Sequence, residues 1–190
     1  MRIGILGGTF DPPHVGHLLA ATDAFDALAL DRLIFVPAGT QPLKQGVTTA
    51  PAADRLEMTR RLVSDDERFA VDPLEIDRGG LSFMVDTLRE LRERWHGDPA
   101  LALFLLVGAD VVATLPKWRE PEAIAAMAEI VVLGRTGAET AVPRVGRMIE
   151  SRRVDVSSTE IRERVRAGRS IRGFVPDAVS EYITAARLYQ

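Results

Sequence analysis

The sequence predicts an α/β protein, a single doubly wound parallel sheet flanked by helices with a helical segment toward its C-terminal end, and three observations carry that expectation. Short apolar runs at residues 2–6, 31–37, 100–107 and 130–135 alternate with stretches whose apolar residues recur at helical spacing. Residues 100–107 are apolar throughout, as in a central strand covered on both faces. The first run ends in Gly7-Gly8 and gives way to Val15, Leu18, Leu19, Thr22 and Phe25, so a strand turns sharply into a helix.

At 190 residues, 46% of them hydrophobic, the chain suits one globular domain over 1–190, with 1–150 as its core and 151–190 as a C-terminal motif and helices. A formal net charge of −3 gives no overall basic field. Nucleic acid and anionic membranes are therefore disfavoured as partners, and any anion site must be local. The absence of cysteine removes disulfides and thiolate chemistry and suits a reducing compartment. No run of about 18 apolar residues suggests a membrane span. Nor does a signal peptide precede the first strand, so a cytoplasmic location is expected.

The strands at 2–6 and 31–37 flank a helix over 15–29, a βαβ unit that implies parallel pairing. Pro12-Pro13 marks the entry to that helix, since proline suits a helix start and restricts the residue before it. Residues 38–50 have two glycines and no apolar period, which makes a long loop at a carboxyl edge. Lys44 is its one charge, a ligand or a solvated side chain. A helix is expected over 51–63, a third strand over 69–76 and a turn over 77–80. The next helix, N-capped by Ser82, carries Val85, Leu88, Leu91 and Trp95.

After the central strand, Gly108-Ala-Asp110 lies at a carboxyl edge, where open α/β sheets bind ligands. Asp110 is a ligand there or a helix cap. Pro116 is expected to stop any helix, and Trp118 to be a core aromatic or a flat stacking surface. A helix over 120–127 and a strand over 130–135 follow, and Arg135 offers forked donors that match phosphate oxygens. Residues 136–153 suggest at most one helix, and 154–156 a last short strand.

A strand that turns through glycines into a helix leaves backbone N–H groups and the positive end of the helix dipole at the sheet's carboxyl edge, where phosphate binds well. His14 and His17, three residues apart, share one face of the first helical turn and can donate to whatever the amides hold. The same spacing is half a metal site, but with His96 the only other histidine and no cysteine the ligand set is short. A purely structural glycine turn is the other alternative. Residues 157–162, Ser-Ser-Thr-Glu-Ile-Arg, read as a capping box with Ser157 at the N-cap and Glu160 three residues on. The hydroxyls of Ser157, Ser158 and Thr159 with Arg162 about one turn in also make a second phosphate nest. Neither Gly-x-x-x-x-Gly-Lys nor Gly-x-Gly-x-x-Gly is present. Two nests on one edge point to transfer at phosphorus, hence nucleotidyl transfer. No Ser/His/Asp or Cys/His set is evident, and a nucleotide 5′-phosphate, its second pKa about 6, needs no strong base to attack.

Residues 7–17, Gly-Gly-Thr-Phe-Asp-Pro-Pro-His-Val-Gly-His, resemble the N-terminal signature of bacterial nicotinate (nicotinamide) mononucleotide adenylyltransferases of the HxGH nucleotidyltransferase superfamily. Residues 157–162 resemble that family's Ser-Ser-Thr-x-x-Arg signature. Gly108-Ala-Asp110, Lys117-Trp118 and a helix at 175–179 extend the likeness over nearly the whole chain. The resemblance implies a Rossmann-like fold and transfer of AMP from ATP to nicotinate mononucleotide, giving deamido-NAD and pyrophosphate by direct in-line attack without a covalent intermediate. It implies an ATP site of Gly8, Thr9, Phe10, His14, Gly16, His17, Gly108, Asp110, Arg135, Ser157, Ser158, Thr159 and Arg162. Of these His14, His17 and Arg162, together with Lys44, would be catalytic. The acceptor would meet Gly7, Gly8, Lys44, Ser82, Met84, Trp118 and Arg119. Mg²⁺ would be bound mainly through substrate phosphates, with no protein metal ligand.

Three departures bear on the acceptor. Gln41-Pro-Leu-Lys44 only partly matches the family's Pro-Pro-His-Lys-like string, Ser82-Phe-Met84 replaces its Ser-Tyr-Thr, and Arg119 replaces the tyrosine after the tryptophan. Backbone N–H groups and Arg119 are therefore expected to hold the nicotinate carboxylate. A phosphopantetheine or FMN adenylyltransferase is the enzymatic alternative, and a non-catalytic nucleotide sensor on the same fold the other. A homodimer is left open.

Overall fold

The computed structural model describes residues 1–42, 50–135, 146–152 and 154–190. Six strands run through them, β1 Arg2–Gly8, β2 Arg32–Pro37, β3 Phe69–Val71, β4 Ala102–Gly108, β5 Glu129–Arg135 and β6 Arg147–Ser151. They pair in parallel in the order β3-β2-β1-β4-β5-β6. The winding reverses between β1 and β4, the switch point that opens a crevice at the carboxyl edge of such a sheet. This is the expected α/β, Rossmann-like architecture.

The helices are α1 Val15–Ala27, α2 Ala52–Val63, α3 Leu74–Arg78, α4 Met84–Arg94, α5 Pro121–Met127, α6 Ser158–Arg166 and α7 Asp177–Ala185. Side chains alternate along each central strand, so the sheet has two apolar faces. Leu6, Leu33, Phe35, Phe104, Leu106, Val131 and Leu133 pack with residues of α1, α2, α6 and α7 on one face. Ile3, Ile5, Ile34, Val36, Leu103, Leu105, Ile130 and Val132 pack with α3, α4 and α5 on the other. Each such buried side chain contributes about 1.5–3 kcal/mol relative to exposure, which fixes the sheet rigidly beneath its carboxyl edge. Among the described residues no helix is long and apolar enough to cross a membrane.

Four local expectations need correction. The third strand ends at Val71 rather than 76, because Pro73 has no N–H to continue the ladder and the Asp72 carboxylate accepts from the Leu74 amide at 3.1 Å, starting α3. Phe83, not Ser82, stands at the N-cap of α4, and the Ser82 hydroxyl accepts instead from the Gly39 amide at 2.9 Å. Pro116 sits inside a short 3₁₀ segment, Val112–Lys117. It ends any α-helix, yet a single missing donor is tolerated in so short a turn. The sixth strand is β6, within the 136–153 stretch expected to hold at most one helix, rather than residues 154–156. As an edge strand it buries only Ile149 and Ser151, which is why scattered charge hid it.

Candidate active site

The carboxyl end of β1 turns without room for side chains. A Cβ on Gly8 would lie 2.9 Å from the Phe10 ring. Phe10 itself has φ +51°, a left-handed conformation that costs a non-glycine residue about 1–2 kcal/mol. Its ring holds it there, buried against Phe35 at 5.8 Å and edge-on to His17 at 5.1 Å. The chain then passes through a cis Asp11–Pro12 bond to His14, the extended N-cap residue of α1.

The two histidines form one unit. The His14 amide donates to His17 Nδ1 at 3.2 Å, so the imidazole plays the part that a glutamate plays in a capping box. An acceptor at Nδ1 leaves the proton of the neutral ring on Nε2, making His17 a donor there. The rings lie 3.8 Å apart between centroids. Burial pushes His14 down to about 4, and burial with the nearby His14 holds His17 well below the usual histidine range. Both are thus neutral N–H donors near pH 7. Gly16 between them leaves the His14 ring its room, since a Cβ there would press on that ring at 3.0 Å.

The expected row of free amides at this helix start is thinner than the sequence implied. The Val15 amide donates to the Phe174 carbonyl at 3.0 Å and that of His17 to His14 at 2.9 Å. The amides of Thr9, Phe10 and Gly16 keep no acceptor among the described residues.

The second nest lies directly against the first. Ser157 caps α6 by accepting from the Glu160 amide at 3.1 Å, while the Ser158 hydroxyl donates to the Pro12 carbonyl at 2.8 Å. Arg162 donates to the Asp11 carbonyl at 2.8 Å and to the Thr159 hydroxyl at 3.2 Å. Among the described residues, two buried polar atoms lack partners, His14 Nδ1 and Arg162 Nε, one from each nest. Buried polar atoms are rarely left so unless something else meets them.

Three residues to which the sequence assigned no role hold this junction. Arg55 is 1% exposed and donates to the carbonyls of Thr9, Gly39 and Ala50 at 2.7, 2.9 and 3.3 Å. Burial pulls its guanidinium below the ordinary arginine value, opposed by the charge of Asp11. The Asp11 carboxylate accepts from the Ala50 amide at 3.2 Å and the Tyr189 hydroxyl at 2.8 Å, and the Tyr189 phenol is driven far up by burial and by Asp11. No local pattern gives these residues their role, because the partners that define it, such as Thr9 for Arg55 and Asp11 for Tyr189, lie tens of positions away in the chain.

Asp110 is exposed at the end of β4 and caps nothing, as Val111 precedes the 3₁₀ segment and no side chain bonds its start. Its carboxylate folds over Gly108, where a Cβ would approach to 2.6 Å. On the other flank Met84 covers Gly7, with Cε 2.8 Å from where a Cβ would be. Arg119 lies 5.0 Å over the Phe83 ring and pairs with Asp86 at 3.3 Å, and half-buried Trp118 donates to the Thr114 hydroxyl at 3.2 Å. Lys44 and the Arg135 side chain lie outside the described residues. Among the described residues no group of three or more His, Cys, Asp or Glu side chains is placed to hold a metal ion.

The arrangement offers imidazole, guanidinium, hydroxyl and amide donors from two adjoining helix starts, a set that complements phosphate oxygens. A family model described as cytidylyltransferase-like matches residues 5–164. A relative from Gemmatimonas aurantiaca, named a probable nicotinate-nucleotide adenylyltransferase, is 51% identical and is matched over 100% of this chain and 93% of its own length. One of the same name from Thermus thermophilus is 46% identical, with 100% of each chain covered. The solved structure of Plasmodium falciparum nicotinic acid mononucleotide adenylyltransferase complexed with NaAD covers 99% of this chain and 97% of its own at a TM-score of 0.79. At 16% identity it is a likeness of fold.

Proposed function

The chain belongs to the nicotinate-nucleotide adenylyltransferases within the cytidylyltransferase-like family, enzymes that transfer AMP from ATP to nicotinate mononucleotide in NAD biosynthesis, and from that premise we propose how its own residues carry the reaction. ATP lies across the crevice with its phosphates between the starts of α1 and α6. The adenosine end passes Gly108 and Asp110 at the tip of β4. The acceptor lies on the Gly7 side, against Met84, the Ser82 segment, Trp118 and Arg119.

The 5′-phosphate of the acceptor attacks the α-phosphorus in line and pyrophosphate leaves, so no enzyme nucleophile is needed. Charge builds on the phosphate oxygens as the bond to pyrophosphate lengthens. Neutral His14 and His17 can follow that charge as N–H donors, and Arg162 with the Thr159 hydroxyl and the Ser158 amide serves the pyrophosphate side, the Ser158 hydroxyl being spent on the Pro12 carbonyl. Gly8, Thr9, Phe10 and Gly16 supply backbone, and Lys44 and Arg135 add cationic charge. Arg119 exchanges its Asp86 partner for the nicotinate carboxylate, aided by backbone N–H groups. Mg²⁺ would be bound mainly through the substrate phosphates rather than by protein side chains, and would supply charge neutralisation there. We read residues 1–190 as one nucleotidyltransferase domain, and the cysteine-free chain supports a cytoplasmic location.

The observation that supports the reading most is the latch of Ser158 and Arg162 onto the carbonyls of Pro12 and Asp11, which brings the two helix starts onto one locus. Pyrophosphate release from ATP and Mg²⁺ with four acceptors, nicotinate mononucleotide, nicotinamide mononucleotide, phosphopantetheine and FMN, tests it. Fastest release with nicotinate mononucleotide is expected. Equal or faster release with phosphopantetheine or FMN would overturn the assignment.

A further inference from the structure

We propose that Glu75 is a positioning residue for the acceptor, holding the segment at residues 81–84 beside the carboxyl end of β2 so that Met84 and the Ser82 backbone form one wall of the acceptor site. The inference rests on the acceptor reading given above.

Glu75 lies on short α3, 4% exposed, well away from both phosphate nests in the chain. Its carboxylate accepts from the fully buried Thr87 hydroxyl at 2.5 Å, and the Ser82 hydroxyl also hydrogen-bonds to it. The Ser82 oxygen in turn accepts from the Gly39 amide at 2.9 Å. One carboxylate thus joins three stretches: the turn after β2, the approach to α4, and the first turn of α4.

Backbone geometry repeats the link. The Ser82 amide donates to the Thr40 carbonyl at 2.9 Å, and Thr40 and Leu81 form an isolated parallel bridge. The Glu75 carbonyl is packed so tightly against Gly39 that a Cβ there would lie 2.7 Å away. Two residues beyond Ser82, Met84 rests on Gly7. The wall is therefore tied to the turn after β2 by backbone bonds, and the carboxylate adds the side-chain link that carries it to α4.

A merely structural tie would not favour this chemistry. A buried carboxylate is costly to desolvate, and burial does push Glu75 up, with the Thr87 and Ser82 hydroxyls and then Arg78 pulling it back. Arg78 reaches Thr87 at 3.3 Å but is itself paired with Glu90 at 2.5 Å, so Glu75 is bound chiefly by hydroxyls. An apolar side chain of similar volume packs such a site at less cost. What it cannot do is orient two hydroxyls at once. Ser82 accordingly serves the acceptor only as part of that wall, since its hydroxyl is committed on both sides and its amide to the Thr40 carbonyl.

The test is steady-state kinetics of Glu75→Ala, Glu75→Gln, Thr87→Val and Thr87→Ser, with each substrate varied at saturating levels of the other and thermal stability measured alongside. KM for nicotinate mononucleotide should rise about tenfold in Glu75→Ala and Thr87→Val while KM for ATP moves less than about twofold, as expected for a displaced positioning element. Glu75→Gln and Thr87→Ser should recover much of the loss. If Glu75→Ala does not fold, the near-isosteric Thr87→Val and Thr87→Ser pair carries the comparison. Equal shifts in both KM values, or a fall in thermal stability with both KM values unchanged, would overturn the inference. Should the wild type turn over a different acceptor, the substrate reading fails, and the same KM comparison with that acceptor still decides the role of Glu75.

Discussion

The two flanks of the crevice are built by different means. The phosphate flank, residues 7–17 with 157–162, consists of two short contiguous strings whose own backbone supplies turn, cap and donors, while the latch between them and the ties to Arg55, Tyr189 and Phe174 reach across the chain. The acceptor flank is assembled from single residues of β1, the turn after β2, α3, α4 and the stretch after β4, tied by side chains such as Glu75 and Arg55. The contrast teaches that charge neutralisation is a local property of helix starts, whereas acceptor shape is a property of the tertiary fold.

The largest effect separates the flanks cleanly. His17→Ala should lower turnover by about 10² to 10³, the usual cost of one donor to developing charge, with KM for the acceptor little changed. Pyrophosphate release under saturating substrates measures it, and wild-type turnover would remove His17 from the phosphate flank. Arg55→Met should act on both flanks at once, since it strips the carbonyls of Thr9, Gly39 and Ala50. A stability loss of about 2–3 kcal/mol in denaturant unfolding is expected from buried acceptors left unpaired.

A pH titration sharpens the phosphate side. His14 is held at about 4 in the folded chain against 6.5 for an ordinary histidine, so the unfolded chain binds a proton more readily between those values. Its share of stability is intact above pH 6.5 and falls as pH drops toward 4, by about 2 kcal/mol at pH 5 by linkage. The difference in pH dependence between wild type and His14→Gln, read from unfolding at pH 7 and 5, isolates it. Identical slopes would mean that the ring is not held neutral. The smallest effect belongs to Arg119→Ala. Its exposed pairing with Asp86 makes about 1 kcal/mol the ceiling for stability. Its loss should narrow the preference for nicotinate over nicotinamide mononucleotide by only a few-fold. Unchanged discrimination would leave the carboxylate to backbone donors alone.

The same contrast explains what the sequence disclosed. The apolar runs announced β1, β2, β4 and β5 because central strands must be apolar on both faces, and the Ser157 cap was legible because a capping box is four residues long. Edge strand β6 was hidden, since one face of it is wet and carries charge. Ser82 looked like a cap from its neighbours, yet a partner 43 residues away, Gly39, claims its hydroxyl. Arg55 looked like any helical arginine, and only the fold reveals that it is buried under three carbonyls.

A crystal structure with a non-hydrolysable ATP analogue and Mg²⁺ tests the shared phosphate locus most directly. The account predicts phosphate oxygens within hydrogen-bond reach of His14 or His17 and, in the same molecule, of Ser158, Thr159 or Arg162. Phosphates held at only one of the two helix starts would contradict it.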